Sequence, residues 1–189
     1  MIYETVVTTL SKDGVLHIAP FGVLSEERGL SIAPFRPSAT LENLEATGCA
    51  VINLTDDVRV IAGCLTGRRD WPVRPAKKIE GRVLESALAH KEVRVTATEP
   101  DPSRPRFRFE VVHEETHAPF KGFNRAQAAV VEAAILVSRL HLLPPEKIDS
   151  EIAYLTIAVD KTAGPREHEA WGWLMQAVAD YKAKPAAAR

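Results

Sequence analysis

An arginine, two hydroxyl side chains and two asparagines between Arg36 and Asn53 have the chemistry to bind an anion. Arg36 can bind a phosphate through two parallel hydrogen bonds, and Ser38 and Thr40 add hydroxyl donors beside the predicted start of a helix. A helix N-terminus contributes unpaired backbone N–H groups and a partial positive charge. Asn43 and Asn53 carry donors and acceptors for the edge of a heterocycle. An ordinary capped helix with a surface arginine explains the same residues, because Ser and Thr are common N-caps.

Short secondary-structure elements must position these side chains. Residues 30–33 are an apolar run typical of a strand, and Arg36-Pro37 ends it, because proline has no N–H and disfavours helix in the residue before it. A short amphipathic helix capped by Ser38 or Thr40 follows, and Gly48 ends it. Residues 49–53 then form a buried strand.

The first 34 residues predict a β-meander. Residues 2–10 are rich in β-branched side chains, and Asp13-Gly14 lies in a turn typical of a hairpin. Pro20-Phe21-Gly22 interrupts the second strand, which indicates a β-bulge or a close approach of the backbone to another group. Phe21 and Gly22 are therefore candidate ligand contacts, although Phe21 is equally interpretable as a core residue.

The middle of the chain adds a helix, a basic loop and more strands. A helix begins near residues 55–57, and residues 67–78 form a loop that is either simply solvated or a lip over an anionic ligand. Further strands are predicted within residues 83–98 and 107–113. In total we predict about six or seven short antiparallel strands, which hide their edges by closing into a barrel or a sandwich.

The pattern of the sequence changes at Lys121. Before it, apolar and polar residues alternate as in strands, and after it apolar residues recur with the period of a helix. Asn124 can cap a helix with an Ala-rich stripe that Pro144-Pro145 stops, and a second helix is predicted to start at residue 149 or 150. Gly164-Pro165 opens a third, and residues 182–189 are predicted to be a frayed tail. The fold class is therefore mainly β with α (α+β): residues 1–120 form the β-domain and residues 121–189 a helical segment packed on it.

Composition and spacing argue against several function classes. The chain has 24 basic and 25 acidic residues, with no block of like charge that would indicate nucleic-acid or membrane binding. No signal peptide or membrane span is recognisable, so a cytoplasmic protein is expected. No metal site is predicted, because His113 and His117, four residues apart on a strand or turn, are taken not to share a face. Motifs for nucleophilic catalysis or a P-loop are not found.

Three segments together resemble the FMN-binding split β-barrel superfamily, which includes flavin reductases and pyridoxamine-phosphate-oxidase-like proteins. They are Ala19-Pro20-Phe21-Gly22, the run from Arg36 to Thr40 with Asn43-Leu44, and Ala50-Val51-Ile52-Asn53. More closely, the chain resembles a domain-of-unknown-function family of such barrels from methanogens and methylotrophs. The segment Gly122-Phe123-Asn124-Arg125-Ala126, the run from there to Glu132, and Ser138-Arg139-Leu140 are similar to the second signature of that family.

This resemblance implies a homodimeric flavoprotein with FMN at the subunit interface. FMN contacts are then expected from Phe21, Gly22, Arg36, Ser38, Thr40, Asn43, Asn53, Phe123, Asn124 and Arg125. Asn124 is also interpretable as a plain helix cap. The implied activity is a flavin-dependent oxidoreductase or flavin reductase with a small-molecule electron donor or acceptor, linked to tetrahydromethanopterin one-carbon metabolism. The alternative is a non-catalytic flavin carrier or binding module, and no catalytic residue is assigned.

Overall fold

Six antiparallel strands close into a barrel in the order β1-β2-β3-β8-β7-β4 in the computed structural model, which describes residues 1–27 and 29–184. Two further strands, β5 and β6, form a separate antiparallel pair. The predicted barrel of six or seven strands is confirmed. The strand bounds are β1 Ile2–Leu10, β2 Leu16–Glu26, β3 Gly29–Ile32, β4 Cys49–Leu54, β5 Val73–Pro75, β6 Arg82–Leu84, β7 Ala89–Glu99 and β8 Arg106–Thr116.

The barrel core contains alternate side chains of its strands and two leucines of one helix, α1 (Ala39–Thr47). Leu41 and Leu44 of this helix are almost fully buried in the same cluster as Val7, Ile52 and Phe107. The period of two along each strand turns one side chain in two toward this core. Burial of the two leucines therefore fixes α1, and with it the candidate anion-binding residues, against the barrel.

The predicted interruption of β2 is not present. Its register with β1 runs without a shift from Leu16 to Leu24, and Pro20 lies opposite Val6. The Val6 carbonyl accepts a hydrogen bond from Asn53 on β4. Val6 and Pro20 therefore form a non-hydrogen-bonded pair, at which proline loses no ladder bond. Pro20 fits a regular strand for this reason, and no bulge is needed.

The β5–β6 pair covers part of the barrel wall. Val83 and Leu84 on β6 are buried, and the Leu84 N–H donates to the Asn53 side chain on β4. The Thr8 hydroxyl on β1 donates to the Arg82 carbonyl. Part of the predicted basic loop is therefore a strand, and the residues after it lie against the wall of the barrel.

Helices form the second of two compact units, which comprises residues 57–69 and the chain from Lys121 onward. Their bounds are α2 Val58–Leu65, α3 Arg125–Ser138, α4 Pro145–Thr162 and α5 Pro165–Ala183, with a 3-10 helix at Leu140–Leu142. The predicted division at residue 120 placed residues 57–69 with the barrel. They cluster instead with the later helices, because α2 packs on α3 and α5.

The helices of this unit begin where the sequence predicts, except that α4 begins earlier. Asn124 caps α3, and Ala126, Ala129 and Ala133 on its stripe are buried. Helix α4 starts at Pro145, four or five residues before the predicted start, since proline suits the first helical position, where no N–H is needed. Of the predicted tail, residues 185–189 lie outside the described residues. No helix within the described ranges has the length and apolar character to cross a membrane.

Candidate functional site

The N-terminus of α1 is built as the sequence predicts. Ser38 is its N-cap, and the Ser38 Oγ accepts a hydrogen bond of 3.3 Å from the Leu41 N–H. Gly48 ends the helix with a φ of 64°, a left-handed conformation that favours glycine. The first N–H groups of any α-helix have no partner within it. Ala39 and Thr40 therefore present backbone donors at the end of the helix where the dipole is positive.

Arg36 lies just before this helix, at the surface. Its Nη2 makes an ion pair of 2.7 Å with Glu45 Oε1 near the other end of α1, and both side chains are about half exposed. Its backbone N–H donates to the Ser103 carbonyl at 2.8 Å, and the Arg36-Pro37 peptide bond is cis. Exposed ion pairs stabilise proteins by about 0–1 kcal/mol, so an incoming phosphate can displace Glu45 at little cost.

A second arginine, Arg104, lies against the same segment and was missed by sequence reasoning. Its guanidinium stacks 4.1 Å from the centre of the Phe35 ring, and its Nε and Nη2 donate to the Ala33 carbonyl at 3.2 and 3.0 Å. The sequence places Arg104 in a proline-rich turn far along the chain from Phe35. The Arg104 guanidinium reaches Phe35 because the proline-rich turn contacts residues 33–36 in the folded protein.

Three predicted contacts, Thr40, Asn43 and Asn53, are buried. The Asn43 Nδ2 donates to Thr9 Oγ1 at 2.9 Å. Asn53 has no exposed surface; its Nδ2 lies within 3.1–3.4 Å of three oxygens, and its Oδ1 accepts from the Leu84 N–H at 2.9 Å. Since these contacts join β1, β4 and β6, Asn53 has a structural role, and its contact with a cofactor stays a prediction.

Phe21 and Gly22 occupy adjacent positions on β2 with different surroundings. The Phe21 side chain is half-buried and packs on the barrel core. Gly22 is exposed, and a Cβ built there would lie 2.8 Å from Cγ2 of Ile2. The missing side chain thus makes room for Ile2 on β1. Contact of these two residues with a flavin ring stays a prediction.

Phe123, Asn124 and Arg125 belong to the helical unit. The Asn124 Oδ1 accepts from the Ala126 and Gln127 N–H groups at 2.8 and 3.2 Å, which makes it the cap of α3. Its Nδ2 donates to the Thr162 carbonyl at 3.0 Å, so both ends of the amide are used within the unit. Phe123 is fully exposed. A cofactor contact from this segment stays a prediction.

A basic cleft lies at the opposite end of α1. It has a volume of about 680 Å³, and four of its lining residues, Lys12, Lys77, Lys78 and Arg94, are basic, with Glu80 beside them. Its α1 contacts, Ala46 and Thr47, lie at the C-terminal end of that helix. None of the predicted site residues lines it, so the structure offers two separate places with the charge to attract an anion.

A cluster of three histidines lies on the barrel wall. His90 Nδ1 is 2.9 Å from His117 Nε2, and the His90 and His113 ring centres are 5.8 Å apart. Burial, followed by the nearby charge of Arg74, lowers the pKa of His117 below its usual range.

Sequence reasoning excluded this cluster on a wrong premise. Side chains four apart on a strand do share a face, because successive residues alternate. His113 lies on β8, and the chain keeps this alternation to His117, just past the strand end. The pattern of alternate residues was visible in the sequence, but the pairing with β7 that adds His90 was not.

Next to these histidines, Glu92 is a fully buried carboxylate. Its Oε1 accepts from the Lys77 N–H at 2.7 Å, and its Oε2 accepts from the Lys78 and Ile79 N–H groups at 2.6 and 3.2 Å. Burial raises the pKa of Glu92, but the hydrogen bonds from Lys77, Lys78 and His90 outweigh it and hold the pKa below its usual range. Glu92 thus stays ionised and fixes the loop after β5 to the barrel.

Comparison with known proteins gives the family and the fold. The family model for the N-terminal domain of a protein of unknown function, DUF447, matches residues 3–118, and the companion C-terminal model matches residues 124–176. The chain therefore belongs to the DUF447 family. None of the curated proteins matches it.

Solved structures share the fold at low sequence identity. An FMN-bound protein of Methanosarcina mazei with the same family model is 19% identical, with a TM-score of 0.82 over 93% of this chain and 94% of that chain. Component B of nitrilotriacetate monooxygenase from Bacillus cereus is 18% identical (TM-score 0.54, 68% and 78% covered). The flavin reductase component of a bacterial two-component tryptophan halogenase is 16% identical (TM-score 0.52, 63% and 82% covered). The predicted split-barrel fold is confirmed.

Proposed function

We propose that this protein binds FMN and acts as a flavin-dependent oxidoreductase of the flavin-reductase type. The observation that carries the proposal is the match, over nearly the whole of both chains, to a DUF447 protein that is FMN-bound. The likeness of the barrel unit to a flavin reductase component supports the activity. FMN supplies the electron-transfer chemistry when bound, and the protein supplies binding and orientation.

The FMN phosphate is proposed to bind at the N-terminus of α1. Arg36 provides a guanidinium, Ser38 and Thr40 provide hydroxyl groups, and the first turn of the helix provides backbone N–H donors. This donor set fits a phosphate monoester, whose oxygens only accept hydrogen bonds at neutral pH. Arg104, held against Phe35 at 4.1 Å, adds positive charge along the approach to the site.

The isoalloxazine ring is proposed to lie against β2, where Phe21 is half-buried and Gly22 leaves the backbone without a side chain. The protein is proposed to work as a homodimer whose interface completes each site. Exposed apolar side chains on the barrel unit support a partner surface, among them Ile2, Tyr3 and Phe35, each more than half exposed. Light scattering that gives the mass of a monomer carrying FMN at full affinity would contradict the interface.

A titration of FMN into the apoprotein tests the phosphate site. Arg36→Ala is expected to weaken FMN binding about ten- to hundredfold, since a hydrogen bond to a charged group contributes about 1.5–3 kcal/mol. Lys12→Ala is the matched control, because it removes one cation from the basic cleft and leaves α1 intact. If Lys12→Ala weakens binding and Arg36→Ala does not, the phosphate lies in the basic cleft.

The proposed activity is tested by reducing the bound flavin without oxygen. Bleaching of the flavin absorbance by NADH or NADPH would support a flavin reductase. A flavin that only a reduced tetrahydropterin bleaches would support the link to one-carbon metabolism, which rests on the sequence resemblance. A flavin that none of these donors reduces would leave the protein as a carrier, and the oxidoreductase proposal would be wrong.

A further inference from the structure

We propose that His90, His113 and Glu115 form a binding site for a divalent transition-metal ion of the zinc class. One ring nitrogen from each histidine and one carboxylate oxygen of Glu115 lie within 4.8 Å of one another. Two imidazoles and a carboxylate are a ligand set that Zn²⁺ and Fe²⁺ sites use, whereas Mg²⁺ and Ca²⁺ prefer oxygen ligands alone. This site does not depend on FMN binding.

Strand pairing builds the site from residues far apart in sequence. In the β7–β8 register His90 lies opposite Glu115, and Glu92 lies opposite His113. Residues two apart on each strand share a face, so the four side chains form a compact quartet across the two strands. The ligands thus belong to a hydrogen-bonded ladder, which holds them in place without an ion.

His113 points to a missing partner. Its Nε2 is the one buried side-chain nitrogen or oxygen in the described part of the chain that has no hydrogen bond. Leaving such an atom unpaired is costly, and an unpaired group in a folded protein calls for an explanation such as a bound ion. The nearest carboxylate oxygen of Glu115 is 3.8 Å away, too far for a hydrogen bond but suited to a shared ion between the two groups.

The surroundings orient His90 as metal ligands are usually oriented. Its Nε2 is 3.3 Å from Glu92 Oε1, the carboxylate held by three backbone N–H groups. Because that carboxylate is an acceptor, the proton of His90 is assigned to Nε2, and the lone pair is assigned to Nδ1. An ion bound at Nδ1 would replace the 2.9 Å contact of this atom with His117 Nε2. His117 stacks on the ring with 5.0 Å between ring centres and an angle of 9°.

The neighbouring groups decide which atoms of the cluster can bind an ion. A cavity of about 340 Å³ beside the cluster is lined by His90 and Glu115 but not by His113. Lys77 holds Glu115 Oε1 at 2.8 Å, which leaves Oε2 on the side of His113. The Arg74 guanidinium occupies His117 Nε2 at 2.6 Å, and we therefore assign His117 to the surroundings and not to the ligands.

Calorimetric titration of Zn²⁺ into the metal-free full chain tests the proposal. We expect one ion per chain with micromolar or tighter affinity, unaffected by excess Ca²⁺. His113→Ala should weaken binding at least about tenfold, since even loss of a group that orients a ligand costs 10–100-fold. His141→Ala, at an exposed histidine of the helical unit, is the matched control and should bind as the parent does. Replacement of zinc by Co²⁺ should give visible absorption bands that His113→Ala loses.

Folding is controlled within the same experiment. His113→Ala also removes packing of a largely buried ring, so each protein is first melted in a chelator, and the effect of zinc is measured from that protein's own melting temperature. Zinc should then raise the melting temperature of the parent and not that of the variant. Equal zinc affinity in His113→Ala and His141→Ala, or binding weaker than about 100 μM in the parent, would overturn the site.

Discussion

Replacement of Asn53 by alanine should destabilise the protein far more than the same change at another buried asparagine. Asn53 has no exposed surface and joins three strands through its amide. Its Oδ1 is the acceptor for the Leu84 N–H at 2.9 Å, and its Nδ2 lies 3.1 Å from the Val6 carbonyl. Alanine keeps the strand but removes both contacts.

The magnitude follows from what alanine leaves unpaired. Leu84 is fully buried, and a buried donor without a partner costs about 1–3 kcal/mol. Loss of the amide donor adds about 0.5–1.5 kcal/mol. We therefore expect the free energy of unfolding to fall by about 2–4 kcal/mol. Asn43→Ala removes one hydrogen bond of 2.9 Å, to the Thr9 hydroxyl, and should cost about 1 kcal/mol.

Urea denaturation followed by far-ultraviolet circular dichroism compares the two variants with the parent. Hydrogen exchange adds a local measurement: the Leu84 amide should lose protection in Asn53→Ala and keep it in Asn43→Ala. Equal loss of stability in the two variants, or a protected Leu84 amide in Asn53→Ala, would refute this account of the β4–β6 contact.

Three further changes have definite expected outcomes. Burial raises the pKa of the Cys64 thiol to about 11, so a thiol reagent at pH 8 should label the half-buried Cys49 at least tenfold faster, and labelling of Cys64 should accelerate as pH rises toward 11. Asp57→Ala removes both the cap of α2 and the ion pair with Arg59 at 2.7 Å, and should lower the unfolding free energy by about 2–4 kcal/mol. Asp57→Asn keeps the cap and should lose less unfolding free energy in the same urea titration. Asn124→Ala should cost about 1 kcal/mol as the lost cap of α3, and an unchanged denaturation midpoint would contradict that role.

The two ends of α1 could be predicted from the sequence because capping interactions are local. Ser38 and Gly48 are at its two ends, and both act through backbone groups within a few residues, so no tertiary contact is needed to place them. The same holds for the cap of α3 at Asn124. The fold class also followed, because alternating strands and turn residues are local patterns.

Features that depend on pairing were not predictable in the same way. Whether Pro20 breaks a strand depends on which residue faces it, and Val6 is known only from the register. Arg104 reaches Phe35 through a contact between distant segments. His90 and Glu115 are 25 residues apart in the sequence and meet only when β7 and β8 pair.

The position of Pro20 also protects the register of the β1–β2 hairpin. Side chains and backbone groups along a strand alternate with a period of two, so a shift by one residue would exchange the hydrogen-bonded and non-hydrogen-bonded pairs. Pro20 would then lie at a position where the ladder needs an N–H donor, which proline lacks. Only a register such as the observed one, with Pro20 opposite Val6, keeps the ladder intact, so this proline opposes slippage of the two strands.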